Sequence, residues 1–316
     1  MKTLLIGNFG SGNIGDELIL CAALNDYPES IVMTADEEWT KGFVMDNELQ
    51  TVPFFPAGVR SRTHWMLNGA YRKKLKSVGR EIDTIVFAGG GLFAIKPRAY
   101  HIWYDIFQWC RKVFPHVRIG MEYQGVDLPK SHSLQEKVFK VFSTADFVSV
   151  RDEASSNAIR QIFQTFDASL LSSKKIIVRE DRVKEWLEEK KFKHKHFKGD
   201  SRKLVLMNGL SHIGQDIYAR VQTLYKGDHF KFILMDPMDQ QFVPSGFRGD
   251  VCILRSYQEV MDVFQYADVV LAERLHALIL GQHFCKKGNV YSLKKPYSEK
   301  VQNFCDKHEI SPFTDA

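Results

Sequence analysis

The chain has 316 residues, of which 44% are hydrophobic and 26% are charged. This composition is typical of a globular protein, and the length allows two domains of ordinary size. The net charge of +5 is too small to indicate nucleic-acid binding, although it permits an acidic substrate or a membrane surface. The five cysteines are scattered and form no C-x-x-C pair, which disfavours a disulfide framework or a zinc site and predicts reduced thiols in a cytoplasmic protein. No apolar segment is long enough to cross a bilayer, and no signal peptide is expected.

The first segment of the chain predicts a strand, a glycine-rich turn and the start of a helix. The apolar run at residues 3–7 has the pattern of a buried parallel strand, and an apolar-periodic helix opens at Asp16. Between them, Gly10, Gly12 and Gly15 allow backbone N–H groups to converge. A turn of this kind binds an anion or a polar substrate.

The same glycines match the G-x-G-x-x-G pattern of dinucleotide-binding turns. Asp36, which follows the next apolar run, stands about where a carboxylate that binds the ribose is expected. Asp16 argues against this alternative, because a carboxylate at the helix N-terminus repels a pyrophosphate. The turn is therefore expected to hold a polar substrate through Asn13 and Asp16, with a strand-to-helix turn that binds no ligand as the alternative.

The remainder of the first half alternates strand and helix patterns, which predicts a parallel sheet with helices on both faces. Predicted strands cover residues 31–35, 83–88, 117–120 and 147–150, and an apolar segment interrupted by prolines covers 47–56. Gly89, Gly90 and Gly91 end one of these strands, where they are expected to allow close approach of a ligand or another chain segment to the backbone, with a tight turn as the alternative. Ligands of such sheets bind beyond the carboxyl ends of the strands, where both glycine clusters fall.

The pattern changes in residues 166–203, which are polar and strongly basic. We place a domain boundary at the start of this segment, between an N-terminal domain of residues 1–165 and a C-terminal domain of residues 166–316. Residues 184–203 are predicted either as a solvated helix and loop or as a patch that contacts anionic lipid headgroups or a phosphorylated lipid carrier.

Strand patterns then resume at residues 204–207, 230–235, 251–254 and 268–271. The predicted fold class is therefore α/β, with two Rossmann-like domains that face each other across a cleft. A terminal helix at residues 296–308 is expected to pack back across that cleft.

Arg274 and His276 follow the last of these predicted strands, where doubly wound sheets bind ligands. An arginine presents a planar fork to carboxylate or phosphate oxygens, and a histidine transfers protons near neutral pH. Together they suit transfer chemistry on an anionic donor, although a solvent-facing pair has the same pattern. Arg151 is a second candidate, with a structural ion pair to a helix-capping Asp152 as the alternative. Lys300 on the terminal helix is a third, with an ordinary surface lysine as the alternative.

Five short motifs occur here in the order found in the polysaccharide pyruvyl transferase family, which the chain resembles over nearly its whole length. They lie at residues 13–16 (NIGD), 89–92 (GGGL), 149–152 (SVRD) with Ser155 behind it, 273–276 (ERLH) and 297–300 (YSEK). The resemblance implies a fold like that of the GT-B glycosyltransferases. It also implies transfer of a pyruvyl group from phosphoenolpyruvate to a sugar of a cell-surface glycan, such as a capsule or exopolysaccharide, or of its lipid-linked precursor, which forms a pyruvate ketal.

The resemblance to this family, together with the chemistry of the matching residues, predicts which residues of this chain form the active site. Catalytic roles are expected for His276, which transfers a proton to the donor or to the departing phosphate, and for Asp16, which holds or deprotonates an acceptor hydroxyl. Donor-binding residues are expected to be Arg274, Arg151 and Lys300, and acceptor-binding residues Asn13, Asp16, Gly90 and Gly91.

Phosphoenolpyruvate is expected as a donor substrate with no cofactor, and the sequence has no cluster with metal-ligand spacing. The expected partners are this donor and a glycan or lipid-linked oligosaccharide, with no nucleic acid. The expected location is the cytoplasm or the inner face of the plasma membrane.

Two other functions fit the same fold. A glycosyltransferase would bind a nucleotide sugar near Arg274 and Lys300. The carboxylate that would bind the ribose has one candidate there, Glu273. A non-catalytic sugar-binding protein has no need of a titrating group such as His276 beside an arginine, which disfavours it.

Overall fold

This computed structural model describes residues 2–54, 68–94, 97–195, 202–209, 215–293 and 299–313, without the side chains of residues 215, 216, 299 and 300. Contacts between residues divide the chain into two compact units. The first unit contains residues 1–11 and 16–182, and the second contains residues 12–15 and 183–316. Each unit is built on one parallel β-sheet, as the alternation of strand and helix patterns predicts.

The sheet of the first unit has seven parallel strands in the order β3-β2-β1-β4-β5-β6-β7. These strands are β1 (Lys2–Ile6), β2 (Ser30–Thr34), β3 (Gln50–Pro53), β4 (Ile82–Phe93), β5 (Arg118–Val126), β6 (Phe147–Val150) and β7 (Ile176–Val178). Strand β2 is buried along its whole length, because a sheet with helices on both faces has no solvent side, and its sequence is accordingly an apolar run. The strand order reverses between β1 and β4, and such a reversal is where parallel sheets bind ligands.

Helices connect these strands and turn one apolar face towards the sheet. They span Ile14–Asp26, Glu37–Val44, Gly69–Glu81, Pro97–Val113, His132–Thr144, Glu153–Phe166 and Leu170–Ser173. The helix predicted to open at Asp16 therefore begins two residues earlier. Two helices begin after an aspartate, Asp36 or Asp152, whose carboxylate accepts a backbone N–H of the first turn.

The three consecutive glycines lie inside β4. The tight turn considered as one alternative is therefore wrong, whereas close approach of a ligand to their backbone stays a prediction. Strand β4 continues through Gly89, Gly90 and Gly91 to Phe93, with Gly90 opposite Gln124 of β5. Gly89 and Gly90 have φ angles of 65° and 78°, a left-handed conformation that glycine adopts without steric cost. Because the register also shifts between Gly90 and Phe93, these glycines form a bulged strand end.

The two units divide after Arg182, whereas the sequence places a domain boundary after residue 165. The difference arises from the short strand β7, which pairs with β6 and so extends the first sheet beyond residue 165. Ile177 and Val178 of β7 are 39% and 37% exposed. This edge strand therefore lacks the long apolar run by which a buried strand is recognised.

The sheet of the second unit has five parallel strands in the order β10-β9-β8-β11-β12. They are β8 (Leu204–Asn208), β9 (His229–Leu234), β10 (Asp250–Ile253), β11 (Val269–Ala272) and β12 (Val290–Ser292). The helices span Arg182–Lys190, Gln215–Leu224, Tyr257–Gln265, Leu275–Phe284 and Glu299–His308, with a 3₁₀-helix at Pro237–Phe242. The strand order reverses between β8 and β11, which repeats the arrangement of the first unit.

The terminal helix Glu299–His308 contacts the helix Leu275–Phe284 within the second unit. Its expected course back across a cleft stays a prediction. In the predicted membrane-contacting stretch 184–203, residues 196–201 lie outside the described residues, and the membrane contact stays a prediction as well. In the part of the chain that the structure describes, no helix has the length and apolar character needed to cross a membrane.

Candidate active site

Asn208 connects the carboxyl ends of three neighbouring strands in the second unit. It is the last residue of β8 and is buried. Its Nδ2 donates to the carbonyl oxygen of Ile233 in β9 at 3.0 Å and to Oδ2 of Asp239 at 3.1 Å. Its Oδ1 accepts from the backbone N–H of Arg274, just after β11, at 3.3 Å. Asn208 therefore fixes the segment after β11 at the point where the strand order reverses.

Arg274 forms a bidentate ion pair with Asp239 of the 3₁₀-helix. Its Nε lies 3.1 Å and 2.9 Å from the two carboxylate oxygens, and its Nη2 lies 2.5 Å from Oδ1. Asp239 is fully buried and also accepts from the backbone N–H of Met235 at 3.1 Å. Parallel charge-assisted hydrogen bonds of this kind fix both the position and the plane of a guanidinium.

A second carboxylate, that of Asp236, lies near the same guanidinium. Its Oδ2 is 3.7 Å from Arg274 Nη2 and accepts a 3.4 Å hydrogen bond from Asn13 Nδ2. Its Oδ1 accepts from the backbone N–H of Met238 at 2.9 Å and thereby caps the 3₁₀-helix. Among the described side chains, the Arg274 guanidinium therefore faces two carboxylates in this cluster.

Residues 12–15 belong to the second unit through their contacts, although they precede most of the first unit in the chain. The backbone N–H of Ile14 donates to the carbonyl oxygen of Met235 at 2.8 Å. Gly15 lies against the imidazole of His276, because a Cβ built on Gly15 would stand 2.2 Å from Nδ1. These contacts join the Asn13 segment and the Arg274–His276 segment, which the sequence analysis singled out separately.

His276 is the second residue of the helix Leu275–Phe284 and is half-buried. Arg274, with an extended backbone, occupies the N-cap position of that helix. The N–H groups of a first helical turn attract anions. An anion bound there would lie beside a side chain of the type that transfers protons near neutral pH.

Replacing Gly15 by alanine is expected to displace His276 and to lower turnover without destabilising the fold. The added Cβ would stand 2.2 Å from His276 Nδ1, so the imidazole must move away. Gly15 lies within the helix Ile14–Asp26, where alanine is more favourable than glycine by up to about 1 kcal/mol. Turnover and urea unfolding, measured on the same preparation, separate the two effects.

The matched control is Gly42→Ala, because Gly42 is also helical and a Cβ there meets no described atom within 4 Å. This variant should gain helix stability and keep the turnover of the wild type. Unchanged turnover in Gly15→Ala would contradict the contact between the residue 12–15 segment and His276.

In the first unit, Asp16 lies over the bulged end of β4. Its Oδ2 accepts from Asn8 Nδ2 at 2.9 Å, and a Cβ on Gly90 would stand 3.2 Å from its Oδ1. Asp16 and Gly90, both predicted on the acceptor side, are therefore neighbours. Asn8, which also donates to Ser11 Oγ at 3.0 Å, is a polar neighbour that the sequence analysis did not identify.

The carboxyl group of Glu17 is hydrogen-bonded to the backbone of the glycine-rich turn. It is fully buried, and its Oε1 accepts from the backbone N–H of Gly10 at 2.6 Å. Burial, and to a smaller extent the charge of Asp16, raises the pKa of Glu17 to about 8, so this side chain is mostly protonated at pH 7. Because Glu17 already takes a backbone N–H of the turn, a pyrophosphate cannot use that group, which further disfavours the dinucleotide alternative.

Arg151 is buried against β5. A Cβ on Gly125 would stand 2.3 Å from Arg151 Nη2, so the guanidinium lies directly on the backbone of that glycine. Its Nε is 3.5 Å from Asp152 Oδ2, and Asp152 caps the helix Glu153–Phe166. This arrangement corresponds to the structural ion pair considered as the alternative, and donor binding by Arg151 stays a prediction.

The two serines of the same motif support β5 where that strand is irregular. Ser149 Oγ accepts from the backbone N–H of Tyr123, and Ser155 Oγ accepts from that of Val126, both at 3.0 Å. Tyr123 has a φ angle of 51°, and the register between β5 and β6 shifts beside it. These hydroxyls therefore accept backbone N–H groups at the irregular end of the β5–β6 pairing.

For two further predicted site residues, Gly91 and Lys300, the described residues show no side-chain contact that bears on substrate binding. Gly91 lies in β4, and its carbonyl oxygen accepts from the backbone N–H of Ala94 at 3.2 Å. The backbone of Lys300 belongs to the terminal helix, but its side chain lies outside the described part of the structure. Among the residues with described positions, no group of three or more His, Cys, Asp or Glu side chains is arranged to hold a metal ion.

Asn208, Asp236 and Asp239 are the residues of this site that the sequence analysis missed. Their positions in the sequence could have identified them, because these polar residues follow the apolar runs predicted as strands at 204–207 and 230–235. The carboxyl ends of parallel strands meet at one edge of a sheet, so polar residues there are expected to converge.

Comparison with known proteins identifies the relationships of the chain. A family model described as polysaccharide pyruvyl transferase matches residues 13–288, which is most of its length and includes Asn13, Arg151, Arg274 and His276. No curated protein matches the chain in sequence.

Solved structures resemble this fold at low sequence identity. A putative UDP-N-acetylglucosamine 2-epimerase from Listeria monocytogenes matches with a TM-score of 0.57 at 10% identity, over 96% of this chain and 82% of the other. The UDP-GlcNAc 2-epimerase from Neisseria meningitidis, bound to UDP-GlcNAc, matches with a TM-score of 0.53 at 12% identity, over 96% and 85%. Anabaena Alr3699/HepE in complex with UDP-glucose matches with a TM-score of 0.54 at 12% identity, over 97% and 90%. Together with the two parallel sheets, these likenesses confirm the predicted GT-B-like α/β fold.

Proposed function

The chain belongs to the polysaccharide pyruvyl transferase family, and on that basis we propose that it transfers the pyruvyl group of phosphoenolpyruvate to two hydroxyls of one sugar, forming a pyruvate ketal. The proposed acceptor is a sugar of a cell-surface glycan or of its lipid-linked precursor. The proposed location is the cytoplasm or the inner face of the plasma membrane. The donor is already activated as an enol phosphate, so the proposed reaction requires no further cofactor.

The observation that carries this proposal is the Arg274–His276 pair at the strand reversal of the second unit. Phosphoenolpyruvate carries a carboxylate and a phosphate, and both suit an arginine fork and a helix N-terminus. The bond to Asp239 orders the Arg274 side chain before a ligand binds. Binding then loses less side-chain entropy than it would with a mobile arginine.

The proposed reaction needs proton transfer at two places. C3 of the enol gains a proton, one hydroxyl adds to C2, the bond from C2 to the phosphate oxygen breaks, and the second hydroxyl adds to C2. The two hydroxyls release two protons, of which one balances the proton given to C3 and the other leaves on the phosphate. His276 is the proposed acid for C3 or for the phosphate, and Arg274, with Arg151 and Lys300, is proposed to stabilise the charge that develops on the phosphate.

Acceptor binding is proposed for the glycine-rich turn and for the bulged end of β4. Asp16 is positioned by Asn8 and is the proposed base, or hydrogen-bond acceptor, for a sugar hydroxyl. Gly90 and Gly91 lack side chains and would let a sugar approach the backbone. Asn13 is proposed to orient the same substrate next to the donor, since its Nδ2 also faces the Arg274 cluster through Asp236.

The first test is a thermal-shift titration with phosphoenolpyruvate, with UDP-sugars, free sugars and NAD in parallel. A ligand that binds only the folded chain raises Tm in proportion to its affinity and concentration. We expect a shift with phosphoenolpyruvate alone. A shift with a UDP-sugar in its place would indicate a glycosyltransferase, and stabilisation by free sugars alone would indicate a sugar-binding protein.

The second test identifies the product. A panel of nucleotide-linked and lipid-linked sugars is incubated with phosphoenolpyruvate in D₂O, and the products are analysed by mass spectrometry and NMR. A pyruvate ketal whose methyl group carries one deuterium is expected, because C3 receives one proton from an exchangeable group. Phosphate release without any ketal would overturn the proposed reaction.

A further inference from the structure

The carboxylate of Asp236 lies between two side chains that carry N–H donors. Its Oδ2 faces both Arg274 Nη2, at 3.7 Å, and Asn13 Nδ2, at 3.4 Å. Its Oδ1 instead makes the 2.9 Å cap with the backbone N–H of Met238. The two oxygens of one side chain thus have different partners.

The distances indicate which of these contacts holds the side chain in place. N–H···O hydrogen bonds usually measure about 2.7–3.2 Å, which the contact of Oδ1 satisfies and both contacts of Oδ2 exceed. The cap therefore anchors Asp236, and Oδ2 is only loosely bound. An oxygen of a ligand in the same place would be free to approach both donors at ordinary distance.

The charges at the cluster support the same conclusion. Asp239 already balances the positive charge of Arg274 through the bidentate pair. Among the described side chains, the carboxylate of Asp236 is therefore a second negative charge beside the arginine, with 16% of its side chain exposed to solvent. Any anion that approaches Arg274 Nη2 meets this charge, and like charges at such short range repel strongly.

We propose that Asp236 occupies the subsite beside Arg274 and Asn13 that an anionic oxygen of the donor takes, so that this carboxylate competes with the donor and weakens its binding. The proposal depends on the proposed function for the identity of the donor. The subsite itself is suited to one oxygen of a carboxylate or a phosphate group. The same competition would weaken binding of inorganic phosphate, the anion released by the proposed reaction, and would favour its departure.

The test is Asp236→Asn, studied by calorimetric titration with phosphoenolpyruvate and, separately, with inorganic phosphate. Asparagine keeps an oxygen that can cap the 3₁₀-helix and removes the negative charge. We expect Kd for both anions to fall by about tenfold, which corresponds to about 1.4 kcal/mol. A residue that only maintained the structure, or that served as a base, would not give tighter binding when changed in this way.

The matched control is Asp262→Asn, which removes one negative charge from the exposed face of the helix Tyr257–Gln265 in the same unit. It should leave both affinities unchanged. If Asp236→Asn does not fold, Asp236→Ser supplies an uncharged cap for the same measurement.

The outcomes separate this proposal from the proposed function. If neither the wild type nor Asp236→Asn binds phosphoenolpyruvate, the proposed donor is wrong. If the wild type binds it and Asp236→Asn binds it equally or more weakly, the competing role of Asp236 is overturned and the proposed function stands.

Discussion

His276→Ala is expected to lose turnover by about 10²- to 10⁴-fold, the usual contribution of a positioned general acid or base, while the chain stays folded and still binds phosphoenolpyruvate. The imidazole is half-buried at the start of the helix Leu275–Phe284 and lies against Gly15. Its removal leaves the Arg274–Asp239 pair intact, so donor binding should persist. Phosphate release in the presence of an acceptor measures turnover, and thermal shift with phosphoenolpyruvate measures donor binding.

The control for this prediction is His283→Ala, in the same helix but at its other end, where Nε2 lies 3.0 Å from the carbonyl oxygen of Phe192. Its turnover should stay close to that of the wild type. His276→Asn, which keeps a polar side chain of similar shape but no group that can act as a general acid, should be as slow as His276→Ala. Wild-type turnover in His276→Ala would exclude the assignment of this residue as the acid.

Arg274→Ala is expected to lower the free energy of unfolding by about 3–5 kcal/mol, the usual cost of removing one partner from a buried ion pair. Asp239 is fully buried and loses its bidentate partner in this variant. The hydrogen bonds from Asn208 and Met235 remain, but they do not neutralise the charge. Urea unfolding monitored by circular dichroism gives the value, and donor binding must be measured where the variant is still folded.

Two further variants test this explanation. Lys287→Ala removes one partner of an ion pair with Glu309, whose side chains are 78% and 71% exposed, and should leave the free energy of unfolding nearly unchanged, because solvent screens an exposed pair. Replacing Arg274 by methionine together with Asp239 by leucine removes the buried carboxylate along with its half-buried partner and should recover most of the lost stability. A loss below about 1 kcal/mol in Arg274→Ala, in the range of an exposed pair, would show that Asp239 does not depend on this arginine.

Apolar runs made most of the fold predictable from the sequence. Strand β6 was predicted with the bounds Phe147–Val150 that the structure has, since a short buried strand between helices is a continuous apolar segment. Strand β7 was not predicted, because it has three residues and two of them are partly exposed. For the glycines of β4, a tight turn stayed open as an alternative, since nothing in a run of glycines distinguishes a turn from a bulged strand.

The site residues that closely follow a predicted strand could be identified from the sequence. Arg274 and His276 directly follow a buried strand, and such positions are expected to bind ligands in parallel sheets. Asp239 was not predictable as the partner of Arg274, because the pair depends on which strands are neighbours, and strand order does not follow from residue patterns. The same holds for Asn208, which lies 66 residues before Arg274 in the chain.

The assignment of residues 12–15 to the second unit has a consequence for the order in which the protein forms during synthesis. Asn13 leaves the ribosome early, but its partner Asp236 is 223 residues further along the chain. At a synthesis rate of about 5–20 residues per second, the segment waits roughly 10–45 s for that partner. Arrest of translation after the first unit has left the ribosome but before Asp236 is made should therefore give a nascent chain in which the first sheet resists protease while the segment at residues 12–15 is cut. Release of the full chain should protect that segment.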